Sequence, residues 1–363
     1  MNKNNYALIM AGGVGSRFWP VSRTEYPKQF IDFFGVGKTL IQSTYDRFLR
    51  ICPPENIFIV TNEIYVDIIK EQLPALNENQ ILAEPIMRNT APCVSYGSMK
   101  IASLNPDATI VVAPSDHTIT NQDAFVAAIE QSLKAASEND CLITLGIKPS
   151  RPDTGYGYIQ YVENTLSTDD QIHKVKIFTE KPNIELAKSF IQSGDFLWNA
   201  GIFIWSAKSI NEAFNKHLPD MHEIFLQGKS LYNTENEKDF ISDAYQQCTN
   251  ISIDFAIMEK ADNVYVLPAD FGWSDLGTWA SIYDIAAHDY VGNAVIPAEK
   301  VMMFNSSNCM VNVPKDKLVI LQGLHDYIVV ESNNTLMICP RSEEQSIKQV
   351  VADVKAKFGA KFI

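Results

Sequence analysis

Short, continuously apolar runs alternate with stretches of helical period through the first 146 residues, and that alternation narrows the fold more than any other feature. The runs are Tyr6-Ala7-Leu8-Ile9-Met10, Ile57-Phe58-Ile59-Val60, Ile81-Leu82-Ala83-Glu84, Thr109-Ile110-Val111-Val112-Ala113 and Cys141-Leu142-Ile143-Thr144-Leu145-Gly146. Between them, Leu40, Ile41, Tyr45, Phe48 and Leu49 recur at helical spacing, as do Ile64, Ile68 and Ile69, and residues 91–104 and 124–136 read as helices too. Strands and helices taking turns predict a parallel α/β architecture. Uninterrupted apolar strands agree, because a parallel sheet is covered on both faces.

From residue 155 to about 279 the pattern becomes mixed. Residues 158–162 and 172–178 are expected to pair antiparallel; a helix over 184–191 precedes a strand over 201–205. Residues 209–247 read as a polar helical subregion without a catalytic constellation. Past residues 286–292 come short strands at 301–304, 310–313, 318–321 and 327–330, with a fifth at 335–339. Pairs such as Ser306-Ser307 and Asn333-Asn334 separate them. They read as a small all-β unit whose loose self-similarity fits a short β-solenoid, closed by an amphipathic helix over about 345–358. The expected division is a catalytic domain over 1–287 and a small β domain over 288–363.

A length of 363 residues suits one large or two moderate domains. The net charge of −13 and a pI near 4.9 argue against sequence-independent binding to nucleic acid or to an anionic membrane. No run approaches the ~20 apolar residues of a membrane span. The N-terminus Met1-Asn2-Lys3-Asn4-Asn5 has no signal-peptide hydrophobic region, so a cytoplasmic protein is expected. The cysteines are scattered with no CxxC, which favours buried free thiols.

Against this acidic background, positive charge gathers in one place. The first strand runs into Ala11-Gly12-Gly13-Val14-Gly15-Ser16-Arg17, and Arg17, Arg23 and Lys28 follow closely with only Glu25 opposing them. Glycines there let the backbone turn and present its N–H groups as an anion-binding concavity. The economical reading is a polyphosphate ligand. A dinucleotide fingerprint needs G-x-G-x-x-G opening a helix, but the order here is G-G-x-G-x-R, and Pro20 and Pro27 oppose an immediate helix. An ATPase loop, G-x-x-x-x-G-K-[ST], is absent; Gly35-Val36-Gly37-Lys38-Thr39 lacks its first glycine. The plain alternative is an ordinary strand-to-loop turn, which the added cations and prolines make less economical.

Ligands in open α/β sheets gather at the carboxyl ends of strands. Pro114-Ser115-Asp116-His117 follows such a strand, and Asp116 there can serve a divalent cation with its phosphate ligands, or simply cap a helix or turn. Asp275, in Trp273-Ser274-Asp275-Leu276-Gly277-Thr278-Trp279, is a second isolated acid that could equally be a capping residue beside core tryptophans.

Several motifs in order then resemble one family: AGGVGSRFWPVSR with PKQF, EPIMRNTAP at 84–92, PSDH, GYGYI at 155–159, FTEKP at 178–182, WNAGIFIW at 198–205, SIDFAIME at 252–259, and WSDLGTW. The chain is similar over nearly its whole length to the mannose-1-phosphate guanylyltransferases of the sugar nucleotidyltransferase superfamily. The resemblance implies a Rossmann-like mixed, mostly parallel sheet flanked by helices, with a small C-terminal β domain resembling a left-handed β-helix. It implies transfer of GMP from GTP to mannose 1-phosphate with Mg²⁺, other divalent cations being possible, in a homodimer that binds neither nucleic acid nor membrane. It places Arg17 and Lys28 in catalysis, Arg17 on the pyrophosphate and Lys28 near the α-phosphate or the incoming phosphate. It puts the nucleotide against Ala11, Gly12, Gly13, Gly15, Ser16, Arg17, Glu84, Arg88, Asn89, Thr90, Ser115 and Asp116. Gly157, Glu180, Lys181 and Asn199 match the sugar-binding positions, and Asp116 and Asp275 the metal ligands. His117 is expected to be structural, since an ionised sugar phosphate needs no general base. Some relatives carry a fused cupin-like isomerase domain; the chain stops at Ile363, so a single activity is expected. Two readings remain beside this one: a nucleotidyltransferase for another sugar and base, and a silent regulatory subunit that binds GDP-mannose.

Overall fold

The computed structural model describes residues 1–166 and 171–363. Its contacts divide the chain into two units. The first comprises Met1–Gly12, Tyr45–Ser115 and Ile119–Trp273; the second comprises Gly13–Thr44, Asp116–Thr118 and Ser274–Ile363.

The first unit is built on a sheet of nine strands among the described residues: β1 (Asn5–Ala11), β2 (Ile57–Asn62), β3 (Ile81–Glu84), β4 (Thr109–Pro114), β5 (Leu142–Ile147), β6 (Gly157–Thr165), β7 (His173–Glu180), β8 (Phe196–Ser206) and β9 (Val264–Pro268). Their order across the sheet is β3-β2-β1-β4-β8-β5-β9-β7-β6. The first four are parallel, as the apolar runs predict, with Ile9 beside both Ile59 and Ala113. β5 and β9 are parallel to each other. β8 enters antiparallel between β4 and β5, and β6 and β7 form the expected antiparallel pair. The sheet is thus mixed: seven of its nine described strands run in one direction, and β7 and β8 run in the other. Leu8, Val112, Leu142, Phe203 and Trp205 of its strands lie in one buried core.

One boundary differs from the sequence reading. The strand expected to start at Gly201 starts at Phe196, because Gly201 lies inside β8, at a positive φ of 67°, where the pairing with β5 slips between Thr144 and Gly146. A local pattern treats such a glycine as a strand end; here it marks an irregularity that turns neighbouring side chains to new directions.

Helix α1 (Thr90–Leu104) is buried from Ala91 to Ile101. Residues 209–247 do form helices: α2 (Ala207–His217), α3 (Pro219–Leu226) and α4 (Glu237–Gln247) belong to this region. Lys100 on α1 donates to both oxygens of Glu237 at 2.7 Å, and the Tyr96 hydroxyl donates to the same carboxylate at 2.6 Å. A buried charge is tolerable when it is paired and hydrogen-bonded in this way. This network ties α4 to α1 and explains why a polar subregion stays in place.

The second unit carries parallel coils. β10 (Ala294–Ile296), β12 (Met310–Asn312) and β14 (Tyr327–Ser332) stack on one face, with Ala294 beside Met310 and Met310 beside Ile328. β11 (Val301–Phe304) and β13 (Val319–Gln322) stack on a second, and Ser307 pairs with His325 on a third. β15 (Thr335–Pro340) turns back antiparallel on β14, and α5 (Ile347–Phe358) follows. The first face is covered on both sides: Val311 and Val329 join the inner coil core, while Met310, Ile328 and Val330 meet Phe18, Trp279 and Ile347. Aromatic packing continues there, with Phe18 edge-on to Trp279 at 5.3 Å and tilted against Phe33 at 4.8 Å. Trp205 and Trp279 are core residues, the latter as the reading around Asp275 allowed. All six cysteines are free and all but Cys339 are buried. Among the described residues, no helix is long and apolar enough to cross a membrane.

Candidate active site

In the second unit, the glycine loop is shaped around one lysine. Gly13 and Gly15 take positive φ values of 94° and 62°. A Cβ on Gly15 would lie 2.9 Å from Lys28 Cβ, so only glycine lets Lys28 pass. Lys28 is 8% exposed. Its ammonium donates to the carbonyls of Asp275 at 2.8 Å and Leu276 at 3.0 Å, and pairs with Asp116 Oδ2 at 3.1 Å. An ammonium has three protons. Lys28 therefore gathers both acids expected at the metal, with Phe18 under it at 5.8 Å. Asp275 Oδ1 also accepts from Gly277 N at 3.2 Å, and His117 Nε2 lies 3.9 Å from Asp116 Oδ1.

Arg17 and Arg23, which look equivalent in the sequence, differ in the structure. Arg23 is spent on the C-terminal chain: its guanidinium donates to the carbonyls of Ser332, Asn333 and Lys361 at 3.2–3.3 Å and to Thr335 Oγ1 at 3.0 Å. Trp19 adds a 2.6 Å bond from its indole N–H to the Phe362 carbonyl. Arg17 sits in the short turn Ser16–Phe18, and its buried Nε has no hydrogen-bond partner among the described residues.

In the first unit, the sugar-binding candidates form one cluster. A Cβ on Gly157 would lie 2.5 Å from Glu180 Oε2 and 3.2 Å from Asn199 Cβ. Glu180 is nearly buried; its Oε1 accepts from Lys181 at 2.8 Å, while Oε2 has no partner among the described residues. Lys181 takes a positive φ of 50°, a strained setting for a residue with a side chain. Asn199 Oδ1 accepts from Thr144 Oγ1 at 2.8 Å and from Gly201 N at 3.1 Å, and Nδ2 donates to Asp254 at 2.9 Å. One amide hydrogen of Asn199 is left over among the described residues.

Asp254 is the residue that the sequence reading passed over. It lies in SIDFAIME, a motif quoted for resemblance only, and the signal available was a single acid among apolar neighbours. Burial, and then the charge of Glu180, push its carboxyl up to about 7. Glu259, from the same motif, accepts from Glu180 N at 3.0 Å.

The base-side candidates lie at strand ends of the same unit. Thr61 Oγ1 donates to the Ala11 carbonyl at 2.8 Å beside Gly12, and Ser115 N donates to Met10 O at 2.9 Å. Glu84 is held inward: it is 6% exposed, accepts from Tyr245 at 2.9 Å, and is pushed up to about 7 by burial. Asn89 has a φ of 68° and caps α1, its Oδ1 accepting from Thr90 N at 2.9 Å. Thr90 Oγ1 accepts from Ile253 N at 2.8 Å, so EPIMRNTAP and SIDFAIME are tied together. Arg88 is half-buried with an unpartnered Nε among the described residues, and its charge reaches Cys248.

The second unit thus holds a glycine loop with cations and two acids gathered by a lysine, and the first unit holds a nearly buried carboxylate–amide cluster. Residues 6–291 match the nucleotidyl transferase family, and residues 299–354 match the mannose-phosphate isomerase/GMP-like β-helix domain. The chain belongs to the nucleotidyl transferase family. It is 37% identical to the alginate biosynthesis protein AlgA of Pseudomonas aeruginosa, over 96% of this chain and 72% of that protein. It is 36% identical to a mannose-1-phosphate guanylyltransferase of Escherichia coli, over 97% of this chain and 73% of that one. A crystal structure from Thermus thermophilus, described as a mannose-1-phosphate geranyltransferase, superposes with a TM-score of 0.85 at 29% identity, over 97% of this chain and 99% of that one.

Proposed function

We propose that the chain transfers GMP from GTP to α-D-mannose 1-phosphate, releasing GDP-mannose and pyrophosphate. The similarity that carries this is the one to the Escherichia coli mannose-1-phosphate guanylyltransferase along nearly all of this chain. It favours the catalytic reading over a silent subunit, as does the presence of Arg17, Lys28, Asp116 and Asp275 together.

In this reading a phosphate oxygen of mannose 1-phosphate attacks the α-phosphorus of GTP in line. The new P–O bond forms as the bond to the β-phosphate bridging oxygen breaks, and the electron pair leaves with pyrophosphate. The attacking oxygen is already ionised near neutral pH, so no general base is needed and the work is positioning and charge neutralisation. The backbone N–H groups from Gly12 to Gly15 cradle the triphosphate and Arg17 takes the pyrophosphate. Lys28 serves the α-phosphate by exchanging one of its three present acceptors for a phosphate oxygen. Asp116 and Asp275 fit Mg²⁺, a hard cation usually held by one or two carboxylates plus substrate phosphates. When bound there, the ion would neutralise charge on the phosphates and order them. Glu180 Oε2 accepts from one sugar hydroxyl and the spare Asn199 N–H donates to a hydroxyl oxygen. A stereoisomer lacking either would leave a buried polar group unpaired. Arg88, Asn89 and Thr90 address the guanine edge.

We place the activity in the cytoplasm, in keeping with free thiols, and in a homodimer, which sedimentation of the full chain checks. The first experiment is pyrophosphate release with Mg²⁺ across four nucleoside triphosphates and several hexose 1-phosphates, with a chelator control. Release confined to GTP with mannose 1-phosphate is expected; release with another pair would overturn the specificity, and none at all the reaction.

A further inference from the structure

Arg17 is not alone on its side of the glycine loop. The apolar face of α5 is laid against that loop, where Ile347, Val351 and Val354 join Phe18 and Trp19 in one core. Trp19 and Arg23, both from the loop segment, bind the carbonyls of Phe362 and Lys361 beyond the helix, so its position is fixed at the far end as well. Lys348 is the next residue after Ile347, in the first turn of α5, and it is exposed.

That turn is an unfavourable place for a cation. α5 continues without a break from the 3₁₀ stretch Arg341–Ser346, and it packs directly on the Ser16–Phe18 turn that carries Arg17. The charge of Arg17 falls on the same spot and pushes the Lys348 ammonium below its ordinary value, with burial adding a smaller push. No carboxylate relieves the pair: among the described residues neither Arg17 nor Lys348 forms an ion pair, and the nearby Glu344 accepts instead from Ala280 N at 2.9 Å. Two cations are held together by apolar packing, and Arg17 Nε still lacks an acceptor among the described residues. Such an arrangement is stabilised by an anion bearing several charges.

We propose that Lys348 is a phosphate-binding residue of the glycine loop, holding with Arg17 the pyrophosphate portion of the nucleoside triphosphate. This rests on the nucleotidyltransferase reading and extends it, because the C-terminal helix then contributes directly to substrate binding. Lys348 holds the departing pyrophosphate and takes no part in bond making at the α-phosphorus.

The test uses the full chain with Lys348→Met, which keeps the apolar stem and removes the charge, and Lys348→Arg, which keeps the charge. Lys355→Ala is the control; it lies seven residues on along α5, about 10 Å further along the axis. Two quantities are read: KM for pyrophosphate during pyrophosphorolysis of GDP-mannose, and the dissociation constant of GTP by calorimetry, which needs no turnover. Loss of one charge-assisted contact predicts about a tenfold rise in both for Lys348→Met. The KM for GDP-mannose stays within twofold, Lys348→Arg stays near wild type, and the difference shrinks at high salt. Unchanged pyrophosphate KM and GTP affinity in a folded Lys348→Met would overturn the proposal and leave the functional reading standing. A wild-type chain that binds GTP but yields no GDP-mannose would sink the guanylyltransferase reading, and the GTP affinities would still decide the role of Lys348.

Discussion

Around Gly157 the polar groups are chiefly carboxylates and an amide held almost out of water; around Gly15, cations gather two acids, and Arg17 and Lys348 keep contact with solvent. Glu180, Asp254 and Asn199 come from β7, from the motif after residue 251 and from β8, and nearly all their hydrogen-bonding capacity is used within the protein. Among the described residues, Glu180 Oε2 and one amide hydrogen of Asn199 are left without a partner. The glycine loop keeps more open capacity, in Arg17 and its neighbour from α5. The contrast follows from the ligands proposed. A neutral hydroxyl is discriminated by a few buried, fixed partners, because a mismatch strands a polar group where water cannot rescue it. A polyphosphate is held mostly by summed charge, which tolerates mobility.

The comparison breaks most easily at Lys28, which unlike Arg17 and Lys348 is buried and fully bonded. Lys28→Ala removes the charge that gathers Asp116 and the Asp275 loop, and kcat should fall by about 10²–10³-fold. Rapid-quench turnover measures it, with circular dichroism confirming the fold; near-normal turnover would take Lys28 out of the chemistry. On the hydroxyl side, Gly157→Ala should act through geometry alone. The new methyl must displace Glu180 Oε2, and a shift of about 1 Å costs on the order of 10²-fold in kcat/KM for mannose 1-phosphate. Unchanged GTP affinity by calorimetry should accompany it, so a drop in that affinity would blur the division drawn here. A smaller effect is expected for Arg23→Ala, since Arg23 is structural. Losing its bonds to the C-terminal carbonyls should cost about 1–3 kcal/mol of stability. Amide exchange should quicken in β15 and α5, with kcat nearly kept.

The sequence made the parallel strands and the coils readable because each is a local pattern: an apolar run for a strand covered on both faces, a short strand between polar pairs for a coil. The turn at Gly13 and Gly15 was readable in the same way, since its residues are neighbours in the chain. Arg23 was misleading, since nothing local separates an arginine facing a phosphate from one binding carbonyls 309 to 338 residues away. Trp19 and Phe362 are likewise joined across 343 residues. Gly201 deceived in the opposite way, looking like a strand end while sitting within β8. Asp254 and Lys348 stayed hidden because their significance lies in what faces them, Asn199 with Glu180 in one case and Arg17 in the other. Burial and charge at a site are sums over distant segments, and residue type alone does not carry them.

The smallest effect expected concerns Asp254 and sharpens the account of the hydroxyl side. Its folded pKa, about 7, lies above the ordinary carboxylate value because burial and the Glu180 charge both disfavour ionisation. Between the ordinary value and about 7 the folded chain therefore binds a proton that the unfolded chain has lost. Stability contributed at this position falls as pH rises through that window and levels off above it. Glu84 acts in the same sense, so wild type should melt at a lower temperature at pH 8 than at pH 5.5. Asp254→Asn keeps an oxygen to accept from Asn199 Nδ2 and cannot ionise. It should narrow that gap by raising the melting temperature at pH 8 more than at pH 5.5, with Glu84 leaving a residual slope. Calorimetric melts at the two pH values measure it. An unchanged gap would mean that Asp254 is ionised at neutral pH and that Lys181 offsets its charge. The buried cluster would then present two carboxylates to the sugar instead of one.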